Sequence, residues 1–574
     1  MKNYWEILKH YKLSLALSPI LVLIGVFCET AQPMFMAKIV DEGVMQNDLS
    51  VISRVGVTMV IVSLIGLVVS MTNIYLSSRA SVGFGTDLRS KLFGHIQQLS
   101  FSDIDRFSPA SLITRLTNDI SRLQQVVQMM MRLMLRSPFM LVMALFFVIR
   151  INSELALIIL AAVPVLGVCI YLILRKGFPF FIKVQEKVDQ LNGVVRENLI
   201  NIRVVKSFVR EDYETHKFSR SSEELQDMSI RASNIVVTIF PAMQLVMNLS
   251  ILAVLWFGGR KVISSELMVG ELISLVNYLT QILMSLMMLS MVIMNFARAT
   301  ASSRRITEVL DTEPSLVNTP EGLQNKYTVK KGDVEFRRVY FRYRGGENDV
   351  LKNINFDVKA GEAVAVAGAT GSAKTSMVQL IPRLYDIYSG EILVDGIDIK
   401  DYNTEALRMG IGMVLQKNEL FTGTITENLR WGKPDATREE IEAAAKAAEA
   451  HEFILGFPDG YDTLLGRGGV NISGGQKQRI CIARALLRKP RILILDDSTS
   501  AVDSETELSI RRNLKEILGH TTVFIITQRI HTMQSADRLI ILDDGEIAAM
   551  GAPEELLQSS PIYQEIYHSQ QMTI

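Results

Sequence analysis

The stretch RILILDDSTSAVD, from Arg491 to Asp503, joins a short apolar strand to a carboxylate. The run Ile492–Leu495 has the length and composition of a buried strand, and Asp496 follows it directly. A carboxylate oxygen is a ligand that Mg²⁺ prefers in proteins. The stretch therefore predicts an α/β sheet that presents Asp496 to a metal ion at the end of a strand.

A glycine-rich turn follows a second apolar strand, Ala363–Ala367, and precedes a helix that we expect to run through about Leu380. This order is typical of a phosphate-binding loop, in which backbone N–H groups cradle phosphates. Lys374 supplies positive charge, and Thr375 offers a hydroxyl to Mg²⁺. The predicted nucleotide-binding residues of the turn are Gly368, Ala369, Thr370, Gly371, Ser372, Ala373, Lys374 and Thr375.

Ala373 departs from the usual loop pattern, GxxxxGK[ST], which has glycine at this position. If the position needs a positive φ, alanine costs about 1 kcal/mol or more. If it already lies in the helix, alanine is harmless. The sequence leaves both alternatives open.

The first half of the chain contains six apolar runs long enough to span a bilayer. They cover residues 13–37, 54–77, 127–149, 155–174, 235–258 and 268–296. Six buried helices of a soluble domain are the alternative, which is disfavoured because such helices seldom stay apolar on all faces. The sequence therefore predicts a helical six-span transmembrane domain over residues 1–315, a linker over 316–330 and an α/β phosphate-loop domain over 331–574.

The connections between these runs differ in length and charge. Runs two and three, and runs four and five, are separated by long connections rich in arginine and lysine, whereas the short loop around Asp41 and Asp48 is acidic. The positive-inside rule places both long connections and both termini in the cytoplasm. We expect each long connection to reverse direction once, at FSPASLITR (Phe107–Arg115) and at EDYETHKF (Glu211–Phe218).

Charge and cysteine content exclude some classes of protein. Sixty basic residues balance sixty acidic ones, which argues against a nucleic-acid partner. The three cysteines are far apart and form neither a disulfide framework nor a metal-binding pair, which is typical of reduced surroundings.

The segment NISGGQKQR, Asn471 to Arg479, is the second diagnostic element. Ser473, Gly474 and Gly475 open a helix, whose N-terminal N–H groups can meet a phosphate. On its own such a segment is more often an ordinary glycine-containing helix cap. About a hundred residues separate it from Lys374, so it need not reach the same nucleotide.

Together these motifs resemble the ATP-binding cassette family, and the six spans ahead of them resemble one half of a type IV exporter. The resemblance implies ATP and Mg²⁺ as ligands, with Tyr343 stacking on adenine and Gln416 sensing Mg²⁺. Metal contacts would come from Thr375, Gln416 and Asp496. The resemblance also implies that Ser473, Gly474, Gly475 and Gln476 touch ATP bound by an opposite subunit, and that Asp503 lies between the two sites.

Two positions depart from the family pattern at the catalytic step. Asp497 stands where glutamate polarises the attacking water, and Gln528 stands where histidine holds the γ-phosphate; Gln416 completes the predicted catalytic set. Because the signature at Ser473 is intact, the chain resembles the degenerate-site halves of heterodimeric bacterial multidrug exporters. The resemblance implies a partner half with the consensus glutamate and histidine, in the bacterial cell membrane.

The substrate prediction depends on polar and polarizable residues inside the spans. Met284, Met287, Met288 and Met291 share one face of a helix and suit many apolar shapes. Glu29 is a carboxylate inside a span, which normally faces a cavity or a partner. Both features also have structural interpretations, as packing surface and as an ion pair. If they line the cavity, we expect export of small apolar, often cationic, drug-like compounds.

The sequence is also compatible with two other functions. A regulatory membrane subunit that binds ATP without pumping would also tolerate the changes at Asp497 and Gln528. A homodimeric lipid flippase is disfavoured, because both of its ATP sites would then carry these changes.

Overall fold

The computed structural model describes residues 2–316, 318, 327–497, 502–517 and 519–571. Its contacts divide the chain into two units. The first comprises Met1–Gly94 and Ala110–Asp311, and the second comprises His95–Pro109 and Thr312–Ile574. The second unit therefore includes a short segment from the middle of the helical half.

Residues 2–316 form α-helices joined by short turns, three of which are π-helical: Ile39–Val44, Arg115–Asp119 and Met130–Met134. The α-helices are α1 Lys2–Leu8, α2 Lys12–Lys38, α3 Leu49–Gln98, α4 Phe101–Arg106, α5 Pro109–Thr114, α6 Ile120–Met129, α7 Leu135–Ile151, α8 Ser153–Ile200, α9 Ile202–Ser207, α10 Glu211–Val237, α11 Ile239–Ile263 and α12 Val269–Leu310.

Six helical segments among the described residues are long and apolar enough to cross a membrane. They are Tyr4–Val44, Leu49–Gln98, Pro109–Ile151, Ser153–Ile200, Pro241–Ile263 and Val269–Leu286. Each overlaps one of the six predicted runs, so the six-span helical region is confirmed. In the most apolar stretch of α3 no residue is buried inside the chain, as expected of a helix whose side chains face lipid.

The first predicted reversal is only partly correct. The chain turns before FSPASLITR, at Ser100, which caps the separate helix α4 through a capping box with Asp103. Most of the predicted segment is helical, because α5 begins at Pro109, a residue suited to the first turn of a helix. The signal that we missed was the SFSD sequence, a serine followed three residues later by an acidic side chain.

The second predicted reversal is wrong. EDYETHKF lies entirely within α10, whose first turn carries Glu211, Asp212 and Glu214. Acidic residues favour the N-terminus of a helix, so this charge run marks a helix start. The chain reverses just before it, between Asn201 and Arg210, around the short helix α9.

The strands of the second unit form two main sheets. A four-stranded sheet has the order β2-β1-β4-β5, and a six-stranded sheet has the order β12-β11-β3-β10-β9-β6. The strands are β1 Val334–Phe341, β2 Leu351–Val358, β3 Ala363–Gly368, β4 Ser389–Val394, β5 Ile397–Asp398, β6 Ile411–Val414, β7 Gly423–Thr424, β8 Leu464–Leu465, β9 Ile492–Asp496, β10 Thr522–Ile526, β11 Arg538–Asp543 and β12 Glu546–Gly551.

The six-stranded sheet is parallel except at its β12 edge. Its inner strands are buried on both faces, as expected of a parallel sheet covered by helices. Besides α4, the α-helices of this unit are α13 Lys374–Leu380, α14 Thr404–Met409, α15 Ile425–Arg430, α16 Arg438–Ala447, α17 His451–Leu455, α18 Gly474–Leu486, α19 Ser504–Ile517, α20 Ile530–Gln534, α21 Pro553–Ser559 and α22 Pro561–Gln571.

Candidate functional site

The carboxyl ends of three neighbouring strands carry the candidate site. Strand β10 lies between β3 and β9, and Ile526 pairs with Val366 on one side and with Asp496 on the other. Lys374 follows β3, and Gln528 follows β10. The carboxyl ends of parallel strands form the binding edge of an open α/β sheet. The topology therefore brings residues separated by more than a hundred positions to one edge.

The phosphate loop runs from β3 into α13 through several residues with positive φ. Gly368 and Gly371 have φ of 142° and 89°. Ala373 is the N-cap of α13 and has φ 71° and ψ 21°, in the left-handed region. Of the two alternatives for Ala373, the structure therefore selects the strained one. A residue with a Cβ is disfavoured in this conformation by roughly 1 kcal/mol.

The ammonium group of Lys374 binds to other residues of the phosphate loop. Its Nζ donates hydrogen bonds to the carbonyl oxygens of Gly368 (3.0 Å) and Ala369 (2.7 Å) and to the hydroxyl of Ser372 (3.2 Å). Burial lowers the pKa of Lys374, against the opposing influence of the nearby carboxylates. A partly desolvated ammonium among carbonyl oxygens is suited to exchange them for phosphate oxygens.

Thr375 and Asp496 are in direct contact. The Thr375 hydroxyl donates to Asp496 Oδ1 at 3.0 Å, while Oδ2 is buried without a hydrogen-bond partner in the described chain. Burial, reinforced by repulsion from Asp497, raises the pKa of Asp496 to about 6. A buried carboxylate with an unused oxygen beside a threonine hydroxyl fits the oxygen ligands of Mg²⁺. These two residues are therefore able to hold the metal of Mg·ATP.

The two departures from the family pattern lie close to this pair. Asp497 has φ 46° and its backbone N–H donates to the carbonyl oxygen of Ile526 at 3.2 Å, which ties it to strand β10. Gln528 follows the same strand and is exposed. Both residues therefore follow neighbouring strands that end at the same edge of the sheet as Asp496.

Tyr343 and Gln416 lie outside the phosphate loop. The Tyr343 hydroxyl is 2.8 Å from Ser376 Oγ in the first turn of α13, and its ring packs edge-on against Phe341 and Tyr385. About a third of Tyr343 stays exposed, so it can stack on a flat ring beside the loop. Gln416 follows β6 and is exposed.

The signature residues begin helix α18. Ser473 and Gln476 form a capping box: Gln476 N donates to Ser473 Oγ, and Ser473 N donates to Gln476 Oε1 at 2.9 Å. Gly474 is exposed and Gly475 is partly exposed. Among the described residues, no hydrogen bond joins this helix start to the phosphate loop. The signature thus presents free N–H groups to solvent.

Asp503 begins the next helix, α19. Its carboxylate accepts a hydrogen bond from Thr506 N at 2.9 Å, which lowers the pKa of Asp503. Ser500 and Ala501, which precede it in the stretch Arg491–Asp503, lie outside the described residues.

A buried charge cluster that the sequence did not predict lies next to Gln528 in the chain. Glu507 is buried and pairs with Arg511 and with Arg529, the residue after Gln528. Arg529 also donates to the carbonyl oxygen of Val502 at 3.0 Å. No local pattern indicates these contacts, because they join residues up to 27 positions apart.

The candidate substrate residues lie in the first unit. Glu29 forms an ion pair with Arg136 at 2.6 Å (Oε2 to Nη2), and both side chains are about 40% exposed, 41% and 38%. Met284 and Met288 are exposed on α12. The side chains of Met287 and Met291 lie outside the described part of the structure. The contact with Arg136 is of the kind that the structural interpretation of Glu29 expected.

Arg136 was missed, together with Arg132, although both lie inside the third apolar run. The rule that singled out Glu29, a charge within a span, applies equally to them.

Comparison with known proteins gives the family. The model of the ABC transporter transmembrane region matches residues 15–286, and the ABC transporter model matches residues 351–500. The chain is 41% identical over 570 residues to the uncharacterized ABC transporter ATP-binding protein YfiB of Bacillus subtilis, covering 99% of this chain and 98% of that protein. It is 33% identical over 567 residues to an ATP-dependent lipid A-core flippase of Desulfotalea psychrophila, covering 99% and 98%.

A solved structure of a bacterial Atm1-family ABC exporter with ATP bound is similar over the whole chain. The TM-score is 0.80 at 26% sequence identity, with 98% of this chain and 99% of that chain covered. A transmembrane region followed by an ATP-binding domain in one polypeptide is the organisation of a half-transporter. The chain therefore belongs to the ATP-binding cassette transporters, as a multi-pass exporter half with a cytoplasmic cassette.

Proposed function

We propose that this chain is one half of a heterodimeric, ATP-driven exporter of the bacterial cell membrane. In this proposal its own phosphate loop forms a slowly hydrolysing site, and its signature completes the active site of the partner. The observation that carries the proposal is the pair Asp497 and Gln528 at the sheet edge that also carries Lys374, Thr375 and Asp496.

The chemistry of hydrolysis explains why this pair matters. Aspartate is one methylene shorter than glutamate, which withdraws the carboxylate by roughly 1.5 Å. A general base needs hydrogen-bond reach to the water that it polarises. Glutamine at position 528 can still donate a hydrogen bond, but it carries no imidazolium charge. Binding depends on Lys374 and Thr375, which are unchanged, so the site is expected to bind ATP and hydrolyse it slowly.

Mg²⁺ held by Thr375 and Asp496 would neutralise charge on the β- and γ-phosphates. The residues of the chain do the rest. Lys374 exchanges its contacts with the loop carbonyls for phosphate oxygens, and Tyr343 stacks on the adenine. In the partner's site, the N–H groups at Gly474 and Gly475 reach the γ-phosphate that the partner binds.

The turn around α9 is evidence that a second chain binds to this one. Ile200, Val204, Phe208 and Tyr213 are all exposed there. Val209 has φ 51°, an outlier for a β-branched residue. Exposed apolar clusters and strained backbone are both enriched at interaction sites. The turn is therefore suited to dock on the cassette of a partner half.

Transport follows if the two ATP sites bias one conformational equilibrium. ATP that binds the closed cassettes better than the open ones shifts the transmembrane helices toward the outward-facing state. Slow hydrolysis at the Asp497 site would keep the cassettes together while the partner's site cycles.

For the substrate, the exposed Met284 and Met288 support an apolar compound of variable shape. The expectation of cationic compounds rested on Glu29 as a lone carboxylate. Its ion pair with Arg136 removes that argument. The substrate part of the proposal is therefore restricted to apolar, drug-like or lipid-like molecules.

A lipid flippase is the second candidate, favoured by the 33% identity to the lipid A-core flippase along the whole chain. A homodimer of this kind would carry Asp497 and Gln528 at both ATP sites, which argues against it. A regulatory subunit that binds ATP without pumping is the third candidate.

The experiment compares the purified chain alone with the chain co-purified with a half-transporter encoded beside it. We expect the chain alone to bind ATP and to hydrolyse it very slowly, and the pair to hydrolyse it readily. Rapid hydrolysis by the chain alone, abolished by Lys374→Ala, would contradict the heterodimer. A pair that hydrolyses ATP but moves no apolar dye in sealed vesicles would instead favour the regulatory subunit.

A further inference from the structure

The charged residues inside the spans are few and unbalanced. If the four residues at each end of the six apolar runs are set aside, the charged residues that remain are Glu29, Arg132 and Arg136. Two positive charges and one negative charge leave a formal charge of +1. Charge inside a membrane is costly, and such residues normally face a cavity, water or a partner.

Glu29 and Arg136 neutralise each other, which leaves the charge of Arg132 uncompensated. Arg132 lies in the π-helical turn Met130–Met134, about one helical turn before Arg136 on the same continuous helical segment. It is partly buried, and it has neither a hydrogen bond nor an ion pair among the described residues. A guanidinium in this setting has five N–H donors and a full charge available for a ligand.

The ion pair itself is open on one side. Its two side chains are 41% and 38% exposed within the chain, so they face lipid, a cavity or the partner half. A lipid-facing ion pair is strongly disfavoured, which leaves the cavity between the two halves or the surface of the partner. Arg136 Nε makes no hydrogen bond, and the buried Oε1 atoms of Gln32 and Gln281 have no partner in the described chain.

These polar atoms lie on three helices that pack together. Gln32 is one turn from Glu29 on α2. Gln281 is one turn from Tyr278 on α12, and the Tyr278 hydroxyl donates to the carbonyl oxygen of Thr30 at 2.7 Å. The side-chain oxygens of Gln32 and Gln281 therefore lie at about the same depth in the helix bundle as the Glu29–Arg136 ion pair. The exposed Met284 lies one turn further along α12.

We propose that the transmembrane domain binds an amphiphile whose head group is anionic and carries oxygen atoms. Arg132 binds this head group, and Arg136, which is paired with Glu29, lies about one helical turn away and assists it. Guanidinium groups match phosphate and carboxylate oxygens with paired hydrogen bonds. The exposed side chains of Met284 and Met288 receive the apolar tail. This inference rests on the proposed export function and specifies its substrate class.

The experiment uses the reconstituted transporter and two fluorescent probes with the same alkyl tail. One probe carries a phosphate head and the other a trimethylammonium head. We expect tighter binding of the phosphate probe to the wild type. Arg132→Gln should weaken that binding about tenfold, since a hydrogen bond to a charged group contributes roughly 1.5 kcal/mol. The trimethylammonium probe should bind unchanged or more tightly.

Two further variants control for charge and folding. Arg150→Gln removes an arginine at the far end of the same continuous helical segment, Pro109–Ile151, and should leave both affinities unchanged. Arg132→Lys keeps the charge and loses the planar fork, so it should bind the phosphate probe with intermediate affinity. If Arg132→Gln does not fold, Arg132→Lys gives the answer. Binding of both probes by Arg132→Lys with the same affinities as the wild type would overturn the role of the guanidinium fork.

Competitors separate the sources of the head group. If anionic phospholipid vesicles displace the phosphate probe, the natural head group belongs to a lipid. If an alkyl sulfate displaces it instead, the head group belongs to a drug-like amphiphile. Displacement by inorganic phosphate as effective as by the amphiphiles would overturn the role of the tail.

Equal affinities of the two probes for the wild type, or an Arg132→Gln affinity within twofold of the wild type, would also overturn the inference. The proposed export is tested separately, by ATP-dependent efflux of a neutral apolar dye compared with Lys374→Ala. Dye efflux without head-group discrimination would leave export standing and remove only this inference.

Discussion

The hydroxyl of Thr375, at the start of α13, donates a hydrogen bond to the carboxylate of Asp496, at the end of β9, although 121 residues separate them in the chain. One pairing thus joins the phosphate loop to the strand that presents the metal ligand. It leaves Asp496 Oδ2 buried and without a partner in the described chain. The ATP site is therefore built around an electrostatic demand that a divalent cation can satisfy.

The first prediction concerns pH. The pKa of Asp496 is raised from 3.8 to about 6, first because of burial. A native carboxyl with a raised pKa binds more protons than the unfolded chain between pH 4 and 6, so its contribution to stability falls as pH rises through that window. Mg²⁺ competes with the same proton. We expect the Mg²⁺ concentration needed for tight ATP binding to rise steeply below pH 6 and to be constant above pH 7.

This dependence can be measured by Mg²⁺ titration of fluorescent ATP binding between pH 5 and 8. Asp496→Asn is the control, since it cannot ionise. It should bind Mg·ATP weakly at every pH and, without nucleotide, unfold at a higher temperature than the wild type at pH 7.5. A wild-type Mg²⁺ requirement that does not change with pH would contradict the raised pKa.

The second prediction concerns Ala373→Gly. Glycine adopts the left-handed conformation of this N-cap without a Cβ penalty, so the variant should be more stable by up to about 1 kcal/mol. For a domain of this size that corresponds to a shift of roughly 2–4 °C in melting temperature. Ala365→Gly is the matched control: it lies in the interior of β3, and the same change there should lower the melting temperature. Equal shifts of the two variants would contradict the strain at Ala373.

The third prediction restores the catalytic pair. Asp497→Glu combined with Gln528→His should raise the ATPase rate of the purified chain by at least tenfold, because both the base and the imidazole are then present. Steady-state phosphate release is the measurement, and the same double variant with Lys374→Ala is the background. No gain in the double variant would mean that other residues limit hydrolysis at this site.

The fourth prediction distinguishes the two roles of the chain in a heterodimer. Gly474→Asp places a carboxylate at the signature helix start, where it would repel the phosphate bound by the partner. It should reduce ATPase of the pair far more than Asp497→Asn, which alters the site that we propose to hydrolyse ATP slowly. Complete loss in both variants would indicate two equivalent sites.

The sequence predicted the elements whose residues are neighbours in the chain. The apolar runs, the strand that ends at Asp496 and the helix that starts after Ser473 follow from local patterns of polarity and capping. The conformation of Ala373 was not predictable, because φ depends on how β3 and α13 are held. Glu507 and Arg529 were missed for a related reason: their pairing depends on tertiary packing, which no local pattern specifies.

The position of α4 has a consequence for synthesis of the protein. Asp103 is fully buried in the second unit, where it accepts a hydrogen bond from Arg344 at 2.9 Å. The two residues are 241 positions apart. At about 5–20 residues per second, a ribosome needs roughly ten to fifty seconds to reach Arg344 after Asp103 has been made. Throughout that interval α4 lacks the arginine that pairs with its buried carboxylate, so the helix cannot reach its final position until β1 and the residues just after it have been translated.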